Sequence, residues 1–196
     1  MASPNAPYKT PVAVLISGSG SNLQALIDAA LAEDYPAQIK LVVSNKADAY
    51  GLKRAENAGI ETIILSHKDY ENRAAFDDAV HAELVKCGIE FVCLAGYMRL
   101  LSAEFVRKWQ NKMLNIHPSL LPAFKGLDAM GQALAAGVKE TGCTVHWVTE
   151  RMDEGPVVLQ KAVPILDGDD EETLAPRLHA AEHEIYPKAL RMVLSR

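Results

Sequence analysis

Cysteine is scarce in this sequence and comes as an odd number. Cys87, Cys93 and Cys143 form no Cys-x-x-Cys pair. That argues against a disulfide scaffold or a structural zinc site and suits a reducing cytoplasm, the compartment expected here. Long hydrophobic runs are missing too. No stretch is long enough to cross a bilayer, and the opening MASPNAPYKT has no apolar core like that of a signal peptide. Residues 1–10 read as a flexible tail. Nor is positive charge in surplus: 20 Lys and Arg stand against 25 Asp and Glu, a formal net charge of −5. Such a surface disfavours nonspecific binding to nucleic acid or an acidic membrane. No nucleic-acid or membrane partner is expected, although a local pocket can still hold a small anion. Two phosphate signatures are incomplete. GSGSNL has the first two glycines of the dinucleotide fingerprint, but Leu23 stands where the third belongs, and the second strand ends in SNK without an acidic residue for a ribose. The Gly-Lys-Ser/Thr ending of a nucleoside triphosphate loop is absent.

What remains is the composition of an ordinary folded protein, 49% hydrophobic and 23% charged over 196 residues. One domain is expected, residues 11–196. Apolar strand-like runs alternate with amphipathic helical ones. Strands are expected at Pro11–Ser17, Ile39–Asn45, Ile60–Leu65, Ile89–Gly96 and Lys112–His117. Helices are expected at Ser21–Glu33, Ala49–Gly59, Glu71–Gly88 and Ser102–Gln110. In the first helix Leu23, Leu26, Ile27 and Leu31 make one stripe. This alternation predicts an α/β fold: a mostly parallel sheet with helices on both faces. Thr144–Thr149 and Val157–Val163 read as an antiparallel extension. Thr173–Leu194 closes the chain as a helix, with Pro176 suited only to its first turn and Pro187 a candidate kink.

Unusual polar residues gather where these strands end, which is where ligands bind in such sheets. SGSGSN (17–22) joins a strand to a helix. Its glycines permit a tight turn, and the helix N–H groups can hold a phosphate; the plainer reading is a turn with Ser21 as the helix cap. LNIHPSLLP (114–122) puts Asn115 and His117 on one strand face, followed by two prolines. An amide beside an imidazole can stabilise an oxyanion and move a proton near neutral pH. Asp153, in the turn-like VTERMDEGPVV, can orient that ring and favour its protonated form, or can be one more charge in a turn. His146 is a polar neighbour on a strand. His179 and His183 lie four apart on one helix face around Glu182, but HAAEH is not the HExxH metal pattern.

Taken in order, VLISGSGSNLQALIDA, SNKADAYGLKRA, LAGYMRLLS, LNIHPSLLP, GCTVHWVTERMDEGPVVLQ and AEHEIYP closely resemble the phosphoribosylglycinamide formyltransferases, folate-dependent enzymes of purine synthesis. The match runs from about Val12 to Val193. The resemblance implies a Rossmann-like formyltransferase fold. It implies transfer of the formyl group of 10-formyltetrahydrofolate, as cosubstrate, to the amine of glycinamide ribonucleotide, with no metal. By position it places Asn115, His117 and Asp153 at the chemistry and Gly20, Ser21 and Asn22 on the ribonucleotide phosphate. His179 and Glu182 would help hold that substrate. Arg73, Met98, Arg99, Leu100, Leu101, Asn115, Val148, Thr149, Glu150 and Asp153 would surround the folate. The Leu121–Pro122 bond would be cis. A monomer or homodimer is expected. One departure is visible: in GLDAMGQAL, Met130 takes the place of a family histidine, with Asp128 nearby. Rival readings are a formyltetrahydrofolate deformylase, which usually carries an added N-terminal domain, a methionyl-tRNA formyltransferase, which normally adds a C-terminal one, and a nonenzymatic phosphate-binding module.

Overall fold

The unbroken apolar run at the first strand has a simple cause. Val12, Val14 and Ile16 enter one hydrophobic core while Ala13 and Leu15 enter a second. All five are fully buried, as a strand covered on both faces requires. The computed structural model that shows this describes residues 8–195. The chain runs β1 (Thr10–Ile16), α1 (Ser21–Ala30), β2 (Ala37–Ser44), α2 (Tyr50–Asn57), β3 (Glu61–Ile64), α3 (Arg73–Lys86), β4 (Phe91–Leu94), α4 (Ala103–Lys108), β5 (Met113–His117), α5 (Ala129–Ala135), β6 (Glu140–Trp147), β7 (Val157–Pro164) and α6 (Glu171–Leu194). The seven strands form one sheet in the order β3-β2-β1-β4-β5-β6-β7. β1 to β5 pair in parallel, and β6 and β7 add antiparallel. This is the expected α/β architecture. Strand order reverses between β1 and β4, which opens a crevice at their C-terminal ends. Among the described residues no helix is long and apolar enough to cross a membrane.

The first core gathers residues of α1, α2 and α6, and the second those of α3 and α4. α6 is the main strut of the first. Its buried Leu174, Leu178, Ala181, Ile185, Ala189 and Leu190 recur at helical spacing. Tyr186, fully buried on the same face, donates its hydroxyl hydrogen to Leu94 O (2.9 Å) and Leu114 O (3.2 Å), bridging β4 and β5.

Several local expectations are corrected. α1 stops at Ala30, so Leu31 falls outside the stripe and is 79% exposed. Tyr35 fills the core instead, its hydroxyl on Pro187 O. β6 begins at Glu140, four residues before the expected Thr144, because Glu140–Cys143 pair with Lys161–Pro164 of β7. α6 begins at Glu171 behind a capping box of Asp170 and Thr173. That puts Pro176 sixth in the helix, beyond the first turn, and packing of the apolar face carries the helix through it. Of the expected tail, residues 1–7 lie outside the described residues. Thr10 opens β1, Tyr8 bonds Glu90, and Lys9 donates to the carbonyls of Ala30 and Ala32.

Tyr186→Phe should lower the unfolding free energy by about 1–3 kcal/mol, because it leaves buried carbonyls of two strands short of a donor. Equilibrium urea unfolding of both proteins measures this, and equal stability would contradict the role given to the hydroxyl.

Candidate active site

The antiparallel register of β5 and β6 sets the arrangement. Asn115 lies opposite His146 and His117 opposite Thr144, so four polar side chains meet near the end of β5. The Asn115 amide nitrogen is 3.2 Å from His146 Nε2, and His146 Nδ1 is 2.9 Å from Trp147 O. An amide nitrogen only donates and a carbonyl only accepts. His146 is therefore neutral, with its hydrogen on Nδ1. Burial pushes its pKa below the ordinary value, against the opposing pull of the Trp147 carbonyl and the Asp153 carboxylate. The bond turns one Asn115 amide hydrogen toward His146 and leaves the other for a ligand.

His117 is 5% exposed. Its Nε2 donates to Phe124 O at 2.9 Å, and its Nδ1 stands 3.5 Å from Asp153 Oδ2. The second distance is long for a direct hydrogen bond and leaves Nδ1 as the nitrogen free to exchange a proton. Asp153 has a left-handed backbone (φ 55°). Its Oδ2 also accepts from Gly126 N–H (2.9 Å), while Oδ1 is 3.7 Å from His146 Nε2. One carboxylate thus faces both imidazoles and fixes the 124–126 loop. Gly155, two residues on, is required by close approach: a Cβ there would lie 1.6 Å from Trp147 O.

The loop between β5 and α5 is held by residues that sequence reasoning missed. Thr144 Oγ1 donates to Ser119 O (2.6 Å) and accepts from Leu121 N–H (3.1 Å) and the Gln160 amide (2.9 Å), which fills its bonding capacity. Gln160 also donates to Leu121 O. The Leu121–Pro122 peptide is cis, as the resemblance implies. Asp128 caps α5 through Gly131 N–H, and Met130 packs against the first core, so the departure at 128–130 has structural roles. A hollow of about 360 Å³ lies beside Asp153, lined by Leu121, Pro122, Lys125 and Glu154. A larger one, about 510 Å³, lined by Lys9, Gln24, Leu31 and Arg54, holds none of the candidate catalytic residues.

At the start of α1 the N-cap falls on Gly20, not Ser21, and no side chain caps the helix. Gln24 N–H makes the first helical bond, to Gly20 O, so the N–H groups of Ser21, Asn22 and Leu23 precede the ladder. Asn22 donates to Glu182 Oε2 (3.0 Å), and its own Oδ1 is buried without a partner. Glu182 is 5% exposed. Burial raises its pKa against the lowering effects of Asn22, His179 and the nearby His117. His179, exposed on α6, stacks on His183 with ring centroids 6.3 Å apart.

Of the expected folate residues, Met98–Leu101 follow β4, Asn115 lies on β5, Val148–Asp153 follow β6, and Arg73 stands at the start of α3. Ser17 Oγ donates to Asn45 Oδ1 (2.6 Å) and accepts from Met98 N–H (2.8 Å), tying the glycine loop to the loop after β4. Met98 and Leu100 are exposed, while Leu101 packs partly on the second core. The Arg99 guanidinium lies 5.9 Å from the Phe76 ring centroid, with Nε buried and unpartnered. Buried Asp77, also missed, accepts from Ser102 N–H (2.6 Å) and holds the far end of that loop. Val148 donates to Met113 O, and Thr149 Oγ1 donates to Arg151 O. Glu150 is paired with Arg107 of α4 at 3.0 Å, so its carboxylate is directed to a surface ion pair.

A profile described as formyl transferase matches residues 10–190. The chain is 57% identical over 189 residues to the trifunctional purine biosynthetic protein adenosine-3 of Bos taurus, covering 96% of this chain and 19% of that protein. It thus spans about a fifth of the length of that relative. It is 45% identical over 180 residues to the phosphoribosylglycinamide formyltransferase of Haemophilus influenzae, covering 92% and 85% of the two chains. Among solved structures, glycinamide ribonucleotide transformylase 1 from Symbiobacterium toebii superposes with a TM-score of 0.93 at 50% identity, covering 95% and 88%. Phosphoribosylglycinamide formyltransferase from Brucella melitensis does so with 0.91 at 51%, covering 96% and 97%.

The neutral state of His146 has a consequence for stability. Its folded pKa lies below the unfolded one, so the unfolded chain takes up the proton first. The stability tied to the neutral ring is fully present above the unfolded value, about 6.5, and is lost as pH falls through the folded one. Glu182, whose pKa is raised, tilts the profile the other way in both proteins compared. Urea unfolding of wild type and His146→Asn at pH about 7.5 and 5.5 should show a smaller acid loss in the variant. Identical losses would contradict the neutral assignment.

Proposed function

Because the chain belongs to the formyl transferase family, we propose that it moves the formyl group of 10-formyltetrahydrofolate onto the amine of glycinamide ribonucleotide, giving formylglycinamide ribonucleotide and tetrahydrofolate in purine synthesis. The observation that carries this reading is the convergence of an amide, an imidazole and a carboxylate beside a helix start that no side chain caps. In this reading the uncharged amine adds to the formyl carbon. The oxygen of the tetrahedral intermediate accepts from the second Asn115 amide hydrogen and from protonated His117. Nδ1 is the exchanging nitrogen, because Nε2 keeps its hydrogen on Phe124 O. Asp153 stabilises the imidazolium while it lasts. The bond from carbon to the folate nitrogen then breaks, and that nitrogen takes up the proton lost by the amine.

Ser21, Asn22 and the preceding Gly20 hold the ribonucleotide phosphate with backbone N–H groups, while Glu182 and His179 face the same substrate from α6. The donor lies along Arg73, Met98–Leu101 and Val148–Thr149, with Asp153 at its reacting end. Holding the two substrates in line contributes up to about 7–11 kcal/mol in favourable systems. Ser17, bonded to both loops, keeps the two subsites in register.

The rival reading, hydrolysis of the same donor, uses the same oxyanion and proton groups with water as acceptor. Following 10-formyltetrahydrofolate with and without glycinamide ribonucleotide separates them. Rapid consumption is expected only when the amine is present. Equal turnover without it would overturn transfer in favour of the hydrolase.

A further inference from the structure

The glycine loop that starts α1 is gripped from outside by α2. Gly51 N–H donates to Gly18 O at 3.0 Å, and Arg54 Nε donates to Ser19 O at 2.9 Å. These bonds hold the carbonyl sides of two consecutive peptides. Both are trans, and in a trans peptide the N–H points opposite to the C=O. Pinning the two carbonyls against α2 therefore turns the N–H groups of Ser19 and Gly20 away from it. Contact between the two segments is as close as backbone allows. A Cβ on Gly20 would lie 2.5 Å from Gly51 Cα, and one on Gly51 would lie 3.1 Å from Gly20 Cα and 2.5 Å from Ile16 Cδ1. Arg54 is itself held, with Nη1 3.4 Å from Gln24 Oε1 and the guanidinium carbon 5.0 Å from the Tyr50 ring centroid.

We propose that Gly51 and Arg54 are positioning residues for the phosphate subsite, setting the peptide planes of residues 18–20 so that their N–H groups join those of α1 in facing the anion. This rests on the reading of Gly20–Asn22 as the phosphate site. It assigns α2 a share in selecting a phosphorylated over an unphosphorylated acceptor, through backbone orientation and not through the charge of Arg54. The arrangement also accounts for glycine at position 51, since any Cβ there would meet Ile16 Cδ1 and the backbone of Gly20.

The test compares glycinamide ribonucleotide with its nucleoside lacking the phosphate, in wild type, Arg54→Met and Gly51→Ala. Both variants should raise KM for the phosphorylated acceptor about tenfold and weaken competition by inorganic phosphate in parallel. Saturated kcat, the KM for the formyl donor and turnover of the nucleoside should stay within about twofold of wild type. An unchanged phosphorylated KM, or equal losses with both acceptors, would overturn the clamp. Arg54→Lys restoring full affinity while Gly51→Ala has no effect would also overturn it, assigning the effect to charge. A wild-type protein that does not distinguish the two acceptors would overturn the phosphate reading itself, and the clamp with it.

Discussion

The carboxylate of Asp153 is the constraint on which the rest of the site depends. Its side chain is 8% exposed and faces two imidazoles, at 3.5 and 3.7 Å. A charge so far from water needs partners. Here they are the Gly126 N–H and a ring that can become cationic. Because the same oxygen that approaches His117 also accepts from Gly126, the position of the 124–126 loop and that of the proton-handling pair are one variable. That loop in turn supplies Phe124 O, which fixes the hydrogen on His117 Nε2. Moving the carboxylate would release the loop, and releasing the loop would free the tautomer.

The two histidines near Asp153 both sit on strands but differ in chemistry, and the difference comes from their second nitrogens. His146 gives its hydrogen to Trp147 O and receives one from Asn115, so it serves as a neutral acceptor that aims an amide. His117 gives its hydrogen to a loop carbonyl and turns its other nitrogen to a carboxylate. Asp153 faces both rings at nearly the same distance, 3.5 and 3.7 Å, so it is the partner of the second nitrogen that separates their roles. Around this pair, Thr144 and Gln160 complete the hydrogen bonding of the β5–α5 turn, and Tyr186 bridges β4 and β5.

Much of this was legible in the chain itself, because strong periodicity and local chemistry agree. The parallel part of the sheet follows from apolar runs buried on both faces, and the glycine turn and the Asn115–His117 spacing follow from short motifs. What could not be read depends on pairing between distant segments. β6 begins early because β7 is there to pair with Glu140–Cys143, and α6 begins early because Asp170 and Thr173 cap it. Leu31 matches the helical spacing yet faces water, since the chain turns and sends Tyr35 into the core. Thr144, Gln160 and Asp77 carry no motif. Their roles exist only once loops from elsewhere bring a carbonyl or N–H to them. The ion pair of Glu150 with Arg107 likewise carries no motif and exists only once α4 and the loop after β6 meet.

The coupling of His117 to Asp153 can be measured directly by a double-mutant cycle on turnover, using Asp153→Asn, His117→Asn and the pair, with binding of both substrates measured separately. If the carboxylate acts through the ring, the first substitution already breaks the unit. The double variant should then lose less than the product of the single losses, a coupling of about 1 kcal/mol or more. Losses that multiply independently would contradict the account and leave Asp153 as a turn residue.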